Sequence, residues 1–311
     1  MTPSYLSRLL LLSMGSFFLV WMAAGALVSW IAPVAIRRAG FMRPRRAARL
    51  LLTLRLLPAT LAATIVALLC VPSYLRFEPH IPTEEAGFAC LAAAILGVAI
   101  CAFAIYKGAS ALLLSFVFLR RCGGRESVVA GEKAWIVADG AGLALAGIVH
   151  PRLLISERAL QDLSADQLAL ALRHEHAHRA SRDNLKRLLI QLAPAVFPRL
   201  RTLEDAWVRF AEWAADDQAT ARDPERSATL ASALVCVARL QSDIALPPLV
   251  TSLVAADEDL AQRVDRLLDT PVLREPNRRF EAIAFGFAAL LIGMLAVNLR
   301  IVHTLLEGLL D

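Results

Sequence analysis

Long apolar runs constrain what this chain can fold into more than any other feature of its sequence. No charged residue occurs in the first run, and the four runs cover Leu9–Ile36, Leu56–Val71, Gly87–Leu119 and Ala282–Leu299. About 20 apolar residues are enough for a helix to cross the ~30 Å hydrocarbon core of a bilayer. The hydrophobic fraction of 57% also exceeds that of ordinary soluble domains. The chain is therefore predicted to be a mainly α-helical membrane protein.

Arginine-rich segments beside these runs predict the topology. Six arginines and no acid occur in Arg37–Arg49, Arg120–Arg125 follows the third run, and Arg274–Arg279 precedes the fourth. Such segments resist translocation and mark the cytoplasmic side. We expect a multi-pass protein of the bacterial inner membrane with both termini outside. The net charge of +5 could suit nucleic acid, but arginines beside apolar runs are typical of topology signals, so no direct nucleic-acid binding is expected.

These signals divide the chain into three parts. Lys107 interrupts the third run; either it marks the inner end of that helix and the remainder lies along the membrane surface, or it sits inside the bilayer at considerable cost. We favour the first interpretation. The predicted parts are a membrane region at 1–119 with helices at about 9–33, 54–73 and 87–110, a cytoplasmic domain at 120–279, and a fourth membrane helix with a short outer tail at 280–311.

The segment between the third and fourth runs has the pattern of an α+β domain. Short apolar runs with Gly and Pro punctuation, at 133–149 and 152–156, predict two or three strands. Ser164 and Gln167 then have the spacing of a capping box, in which each side chain satisfies a free backbone N–H at the start of a helix. A later stretch, 202–221, lacks Gly and Pro and is also helical in composition.

The first of these helices carries the motif HEHAH. His174 and His178 are four residues apart and share one helix face, while Glu175 projects beside them, as in the zinc-binding pattern HExxH. Zinc with an open coordination position lowers the pKa of a bound water to about 7, and Glu175 is expected to take up the proton. His176 lies about 200° round the helix from either ligand and is expected to face away.

HExxH supplies only two metal ligands, so a third is required. The second helix offers Glu212, which could donate a carboxylate oxygen, and Asp216 one turn further on the same face. A carboxylate in the position of Asp216 commonly accepts the second ring N–H of a ligand histidine and fixes its orientation. We therefore predict one Zn²⁺ ion held by His174, His178 and Glu212, with Asp216 in support.

The chain combines several motifs: HExxH followed by RASRDN, the E-x-x-A-D pair, HPRLLIS at 150–156, RVDRLL at 263–268 and the predicted membrane helices. In these motifs together the chain resembles the BlaR/MecR-type antirepressor metallopeptidases. These are integral-membrane zinc enzymes of the gluzincin group. The resemblance implies a zincin-like metallopeptidase domain inserted between membrane helices three and four, with Glu175 as catalytic base and acid. It implies cleavage of a protein substrate at the cytoplasmic face, a winged-helix transcriptional repressor being one candidate.

Two other interpretations stay open. The chain stops about a dozen residues after its last apolar run, whereas the best-known family members continue into an extracellular penicillin-binding sensor, so direct covalent sensing of β-lactams is not expected. One alternative is an HtpX-like or CAAX-prenyl-type membrane quality-control peptidase. Those families share both motifs but typically have hydrophobic helices between them, whereas Leu188–Phe197 is too short to span. That segment could dock on the membrane, line a substrate groove or be core.

Alternatively, the protein is a non-catalytic signalling protein with a structural zinc site.

Overall fold

A computed structural model describes residues 3–77, 87–138, 142–240, 246–254 and 257–269. The described chain is mostly helical, with three long apolar helices and one small sheet. This confirms the mainly α-helical class with an α+β portion. The fourth membrane helix predicted at 280–311 lies outside the described residues.

Three helical segments are long and apolar enough to cross a membrane. Helix α1 covers Pro3–Ala39; the second segment consists of α2 (Pro44–Ile65), a π-helical turn (Val66–Cys70) and α3 (Val71–Phe77); and α4 covers Phe88–Arg121. All three extend well beyond the spans predicted from hydropathy. At a rise of 1.5 Å per residue each is about 50 Å long, so part of every helix lies outside a hydrocarbon core of ~30 Å.

The backbones of α1 and α4 approach each other closely. A Cβ atom added to Gly97 of α4 would collide with the carbonyl of Met14 in α1. Gly15, on the facing side, would meet α4 atoms only at ordinary contact distances of 3.6–3.7 Å. Small residues commonly allow such approach between membrane helices, and here Gly97 is the position with no room for a side chain.

Helix α4 does not end at Lys107, where the sequence suggested the inner end of the helix. It runs without a break to Arg121, and the side chains at its end, Phe118 and Leu119, pack against a small apolar cluster on the sheet. The residues beyond Lys107 therefore connect the membrane region to the sheet as a continuous helix.

The sheet has five strands in the order β1-β2-β4-β3-β5. β2 and β4 are parallel, while the other neighbouring pairs are antiparallel. Three of these strands correspond to the two or three predicted; the first and last were not predicted, since β1 is charged and largely exposed and β5 is only three residues long. The strands are Arg125–Val129, Glu132–Val137, Leu143–Ala146, Arg152–Ser156 and Val250–Ser252.

Among the described residues, six helices accompany the sheet. The predicted capping box is present at the start of α6: Gln167 N–H donates to Ser164 Oγ, and Ser164 N–H donates to the Gln167 side chain. Apolar residues of the sheet, α6 and α9 form one continuous core. The helices are α5 (Glu157–Asp162), α6 (Ala165–Ser181), α7 (Asp183–Gln191), α8 (Pro198–Thr220), α9 (Pro224–Leu240) and α10 (Asp257–Leu268).

A second core joins the membrane helices to α8. Leu203, Trp207 and Phe210 on the first half of α8 are buried together with Val28 of α1 and Leu51 of α2. The second half of the same helix carries Glu212. The sequence boundary at residue 119 thus does not coincide with a gap in the packing, because one helix belongs both to the membrane-helix core and to the predicted metal site.

Candidate metal centre

Helices α6 and α8 bring the three predicted ligand residues together in the interior. Nε2 of His174 and Nε2 of His178 are 3.0 Å apart. Oε2 of Glu212 lies 3.4 Å from each of these nitrogens. All three side chains are buried. The helical periodicity that placed the histidines one turn apart on α6 is therefore matched by an acidic side chain from a second helix, and the group can bind a metal ion.

The spacing of these atoms agrees with the ligand shell of a small tetrahedral ion. Bonds of about 2.0–2.1 Å at tetrahedral angles place neighbouring ligand atoms about 3.3 Å apart, close to the observed triangle. In addition, both oxygens of Glu212 are buried and have no hydrogen-bond partner among the described residues. Such groups are costly in an apolar interior. A bound cation would compensate the charge of these two oxygens, so the three residues are suitable ligands for a metal ion.

Each histidine is held from behind by a carboxylate. Nδ1 of His174 lies 2.9 Å from Oδ1 of Asp216, the residue predicted to support this histidine. Nδ1 of His178 lies 2.7 Å from Oδ2 of Asp183. Because Nδ1 of each ring lies next to a carboxylate, Nε2 of each ring is the nitrogen that faces the other metal-ligand atoms. The pair of carboxylates therefore fixes which nitrogen each histidine presents.

Asp183 was not predicted from the sequence as a site residue. It follows Arg182, which ends α6 in the left-handed conformation (φ 55°, ψ 44°) and separates α6 from α7. This turn brings the first residue of α7 back toward His178. The available signal was a polar Arg-Asp-Asn run directly after the motif, but the spacing alone does not show that the helix ends there.

Arg263 of α10 is the second site residue that the sequence did not reveal. Its guanidinium donates through Nε and Nη2 to the two oxygens of Asp216, at 3.0 and 2.7 Å, and through Nη1 to the carbonyl of Leu253 at 2.6 Å. Nη1 is also 3.4 Å from Glu212 Oε2. Bidentate pairing of this kind compensates a buried carboxylate well. Arg263 thus balances the acidic side chains on α8.

The charges of the site shift its pKa values strongly. Burial alone would lower the pKa of His178, but Glu212 and Asp183 raise it to about 10. Burial would raise the pKa of Asp216, yet the charge of Arg263 and the contact with His174 lower it to about 2. The supporting carboxylate is therefore ionised at neutral pH and can hold the ring of His174.

Glu175 lies next to the ligand group without being part of it. Its side chain is buried, and neither carboxylate oxygen has a hydrogen-bond partner among the described residues. Burial raises its pKa, against the opposing effect of His174 and His178. A raised pKa makes this carboxylate a stronger proton acceptor than an exposed glutamate, as general acid–base catalysis requires.

His176 faces away from the ligand group, as the helical geometry predicted. Its Nε2 contacts Oε1 of Glu132 at the start of β2, and the side chain is 39% exposed. His176 and Glu132 lie in the wall of a cleft of about 710 Å³ that reaches His178 and Asp183. Of the predicted ligands, only His178 belongs to the lining of this cleft; its volume is sufficient for a short peptide segment.

No protein-family model matches this chain, and no curated protein is significantly similar to it. Its function is therefore inferred from the geometry of the site and from the sequence motifs.

Proposed function

We propose that this protein is a membrane-bound zinc endopeptidase of the antirepressor type. The observation that carries the proposal is the buried carboxylate of Glu175 beside the convergent atoms of His174, His178 and Glu212. A purely structural metal site needs no such group. The domain carrying these residues is proposed to lie on the cytoplasmic side of a bacterial inner membrane.

The donor set favours zinc over other common divalent ions. Two imidazole nitrogens and one carboxylate are typical catalytic zinc ligands, whereas Mg²⁺ and Ca²⁺ prefer oxygen ligands alone. A zinc ion, when bound, would supply the Lewis acidity needed for hydrolysis of a peptide bond. His174, His178 and Glu212 are the residues that would hold it.

Glu175 is proposed to move the proton. Its raised pKa lets it accept a proton from the attacking water at a carboxylate oxygen and then donate it to the departing amine nitrogen. Because no other described residue engages these oxygens, Glu175 is free to make both contacts. The buried surroundings strengthen its electrostatic interactions with the reacting atoms.

Asp183, Asp216 and Arg263 are proposed to keep this arrangement rigid. The two aspartates orient the ligand histidines from their Nδ1 side, and Arg263 compensates the charge of Asp216. Positioning of this kind matters because small displacements of catalytic groups reduce rates strongly.

The substrate is proposed to be a protein that meets the cleft at the membrane surface. Resemblance to the antirepressor family supports a transcriptional repressor as one such protein, with cleavage ending repression in a signalling pathway.

Comparison of the wild-type protein with Glu175→Gln tests the enzymatic proposal. Both proteins are purified in detergent, their zinc content is measured by atomic emission, and cleavage of unfolded casein is followed by mass spectrometry. We expect equal zinc content and a loss of cleavage of about 10²–10⁴-fold in the variant, as for removal of a general base. Arg173→Gln, a change of an exposed residue on the same helix that does not line the cleft, should leave cleavage within a few-fold of wild type.

Equal cleavage by wild type and Glu175→Gln contradicts the proposal, and so does a metal ion coordinated by four protein ligands in X-ray absorption spectra. The latter result favours the structural zinc site, since catalytic sites keep a position open for water or substrate.

A further inference from the structure

The end of α7 and the connection that follows it to α8, residues 189–196, expose large apolar side chains on the domain that carries the candidate metal site. Leu189, Leu192 and Val196 are 43%, 41% and 52% exposed, while Ile190 and Ala193 between them are buried. We propose that the exposed face of residues 189–196 lies in the bilayer, at the edge of the hydrocarbon nearest to the metal site. It would be a membrane contact in addition to the membrane helices.

The contact of this segment with helix α4 indicates how deep the segment lies in the bilayer. The side chain of Leu192 packs on Gly108, where an added Cβ would meet Leu192 Cγ at 3.2 Å. Gly108 lies 20 residues after Phe88, the far end of α4, which corresponds to about 30 Å along the helix. This is the thickness of the hydrocarbon core. The exposed charge of Lys107 beside it suits the polar boundary at that depth.

The other two membrane helices give a similar depth. Arg55 of α2 donates to the carbonyl of Ala193 at 2.7 Å and lies 22 residues, or about 33 Å, from the far end of its span at Phe77. The ring of Phe197 packs on Gly25 of α1, which is about 24 Å from the start of the apolar run at residue 9. Three separate helices thus place residues 192–197 near the same boundary.

The surroundings of the segment favour lipid as its partner. On α4, the residues just inside this boundary, Phe103, Ile105 and Tyr106, are also exposed apolar side chains, as expected of a surface at this depth that faces lipid. Exposed Arg199 and Arg201 follow directly in sequence. An apolar tip followed by arginines is typical of a segment that enters the interface and places its cations among the headgroups.

The position of the segment has a consequence for the site. α7 begins with Asp183, which contacts His178, and α8 carries Glu212. The proposed lipid contact therefore lies between two elements that shape the metal group and ties both to the membrane. The inference does not depend on the protein being an enzyme.

Spin labels on the full-length protein in lipid nanodiscs test the proposal. The five native cysteines are replaced by alanine, and single cysteines are introduced by Val196→Cys, Val98→Cys and Val128→Cys. All three valines are exposed; Val98 lies near the middle of the span in α4, and Val128 lies on the edge strand β1. Collisions with oxygen, which concentrates in lipid, and with a water-soluble nickel chelate are then measured.

We expect the oxygen-to-nickel accessibility ratio at position 196 to resemble that at position 98 and to exceed that at position 128 severalfold. A ratio at 196 equal to that at 128 overturns the proposal. Low accessibility to both reagents also overturns it, because that is the result expected if a second protein chain covers the segment.

A measurement on the unmodified protein guards against misfolding of the cysteine variants. A lipid-soluble diazirine is photolysed in the nanodiscs, and labelled peptides are mapped by mass spectrometry. Label on residues 189–196 and on α4, with none on the β1–β2 hairpin, is expected. Label on α4 alone contradicts the proposal.

Discussion

The carboxylates behind the two histidines decide how well the site can bind a metal. Asp183 contacts Nδ1 of His178, and Asp216 takes the corresponding position at His174. The sequence indicated Asp216 through its spacing from Glu212, but Asp183 became recognisable only when the turn at Arg182 was located. The residues that hold the ligands are thus less visible in the sequence than the ligands themselves.

Asp183→Asn is expected to weaken zinc binding by about 10–100-fold, because the amide cannot act as the charged acceptor for His178. The zinc dissociation constant is measured by competition with a chromophoric chelator. Asp217→Asn is the matched control, since Asp217 pairs only with Arg222 and Arg266 among the described residues. Equal dissociation constants for the two variants would show that Asp183 does not support the metal site.

Arg263→Met is expected to destabilise the fold by about 3–5 kcal/mol, because it leaves the buried carboxylate of Asp216 without its counter-charge. Arg222→Met, which removes a largely exposed partner of Asp217, should cost less than about 1 kcal/mol. Thermal unfolding in detergent, followed by circular dichroism, compares the two. Similar midpoints would indicate that Arg263 is not needed to compensate Asp216.

At the level of elements, the sequence predicted helices and strands correctly where apolar residues recur periodically or where a capping motif precedes a helix. The capping box of Ser164 and Gln167 lies at the start of α6 as predicted. By contrast, β1 and β5 gave no clear signal, because an exposed edge strand and a three-residue strand have little apolar periodicity. Helix α4 also continues past Lys107 to Arg121 without a break, since a single exposed charge does not interrupt a helix.

The packing of α1 against α4 predicts unequal effects of two glycine substitutions. Gly97→Ala is expected to destabilise the membrane region by about 1–3 kcal/mol, because the new Cβ collides with the backbone of Met14. Gly15→Ala, on the same interface, meets only ordinary contacts and should be tolerated. The thermal midpoint of each variant in detergent is compared with wild type. A loss of stability in Gly15→Ala alone would contradict this description of the interface.

At the scale of the whole molecule, the metal site and the membrane helices share one helix. The first half of α8 packs on α1 and α2, and its second half carries Glu212 and Asp216. A boundary drawn from hydropathy at residue 119 does not show this connection. The orientation of Glu212 therefore depends on contacts made by the membrane helices.

A fragment beginning at residue 120 is expected to aggregate or to bind zinc more weakly than the intact protein. Removing the membrane helices exposes the apolar side chains of Leu200, Leu203, Trp207 and Phe210 to water, and large exposed apolar patches promote association. Size-exclusion chromatography and zinc titration compare the fragment with the full-length protein. A monomeric fragment with unchanged zinc affinity would show that the two regions are independent.

Local periodicity is enough to predict the long apolar helices, the one-turn spacing of His174 and His178, and the one-turn spacing of Glu212 and Asp216. The contact of Glu212 with both histidines, the participation of Asp183 and Arg263, and the packing of α8 on α1 and α2 are visible only in the folded chain. These contacts join residues far apart in the chain, where no local pattern specifies which elements meet. Their geometry comes only from the packing of the whole fold.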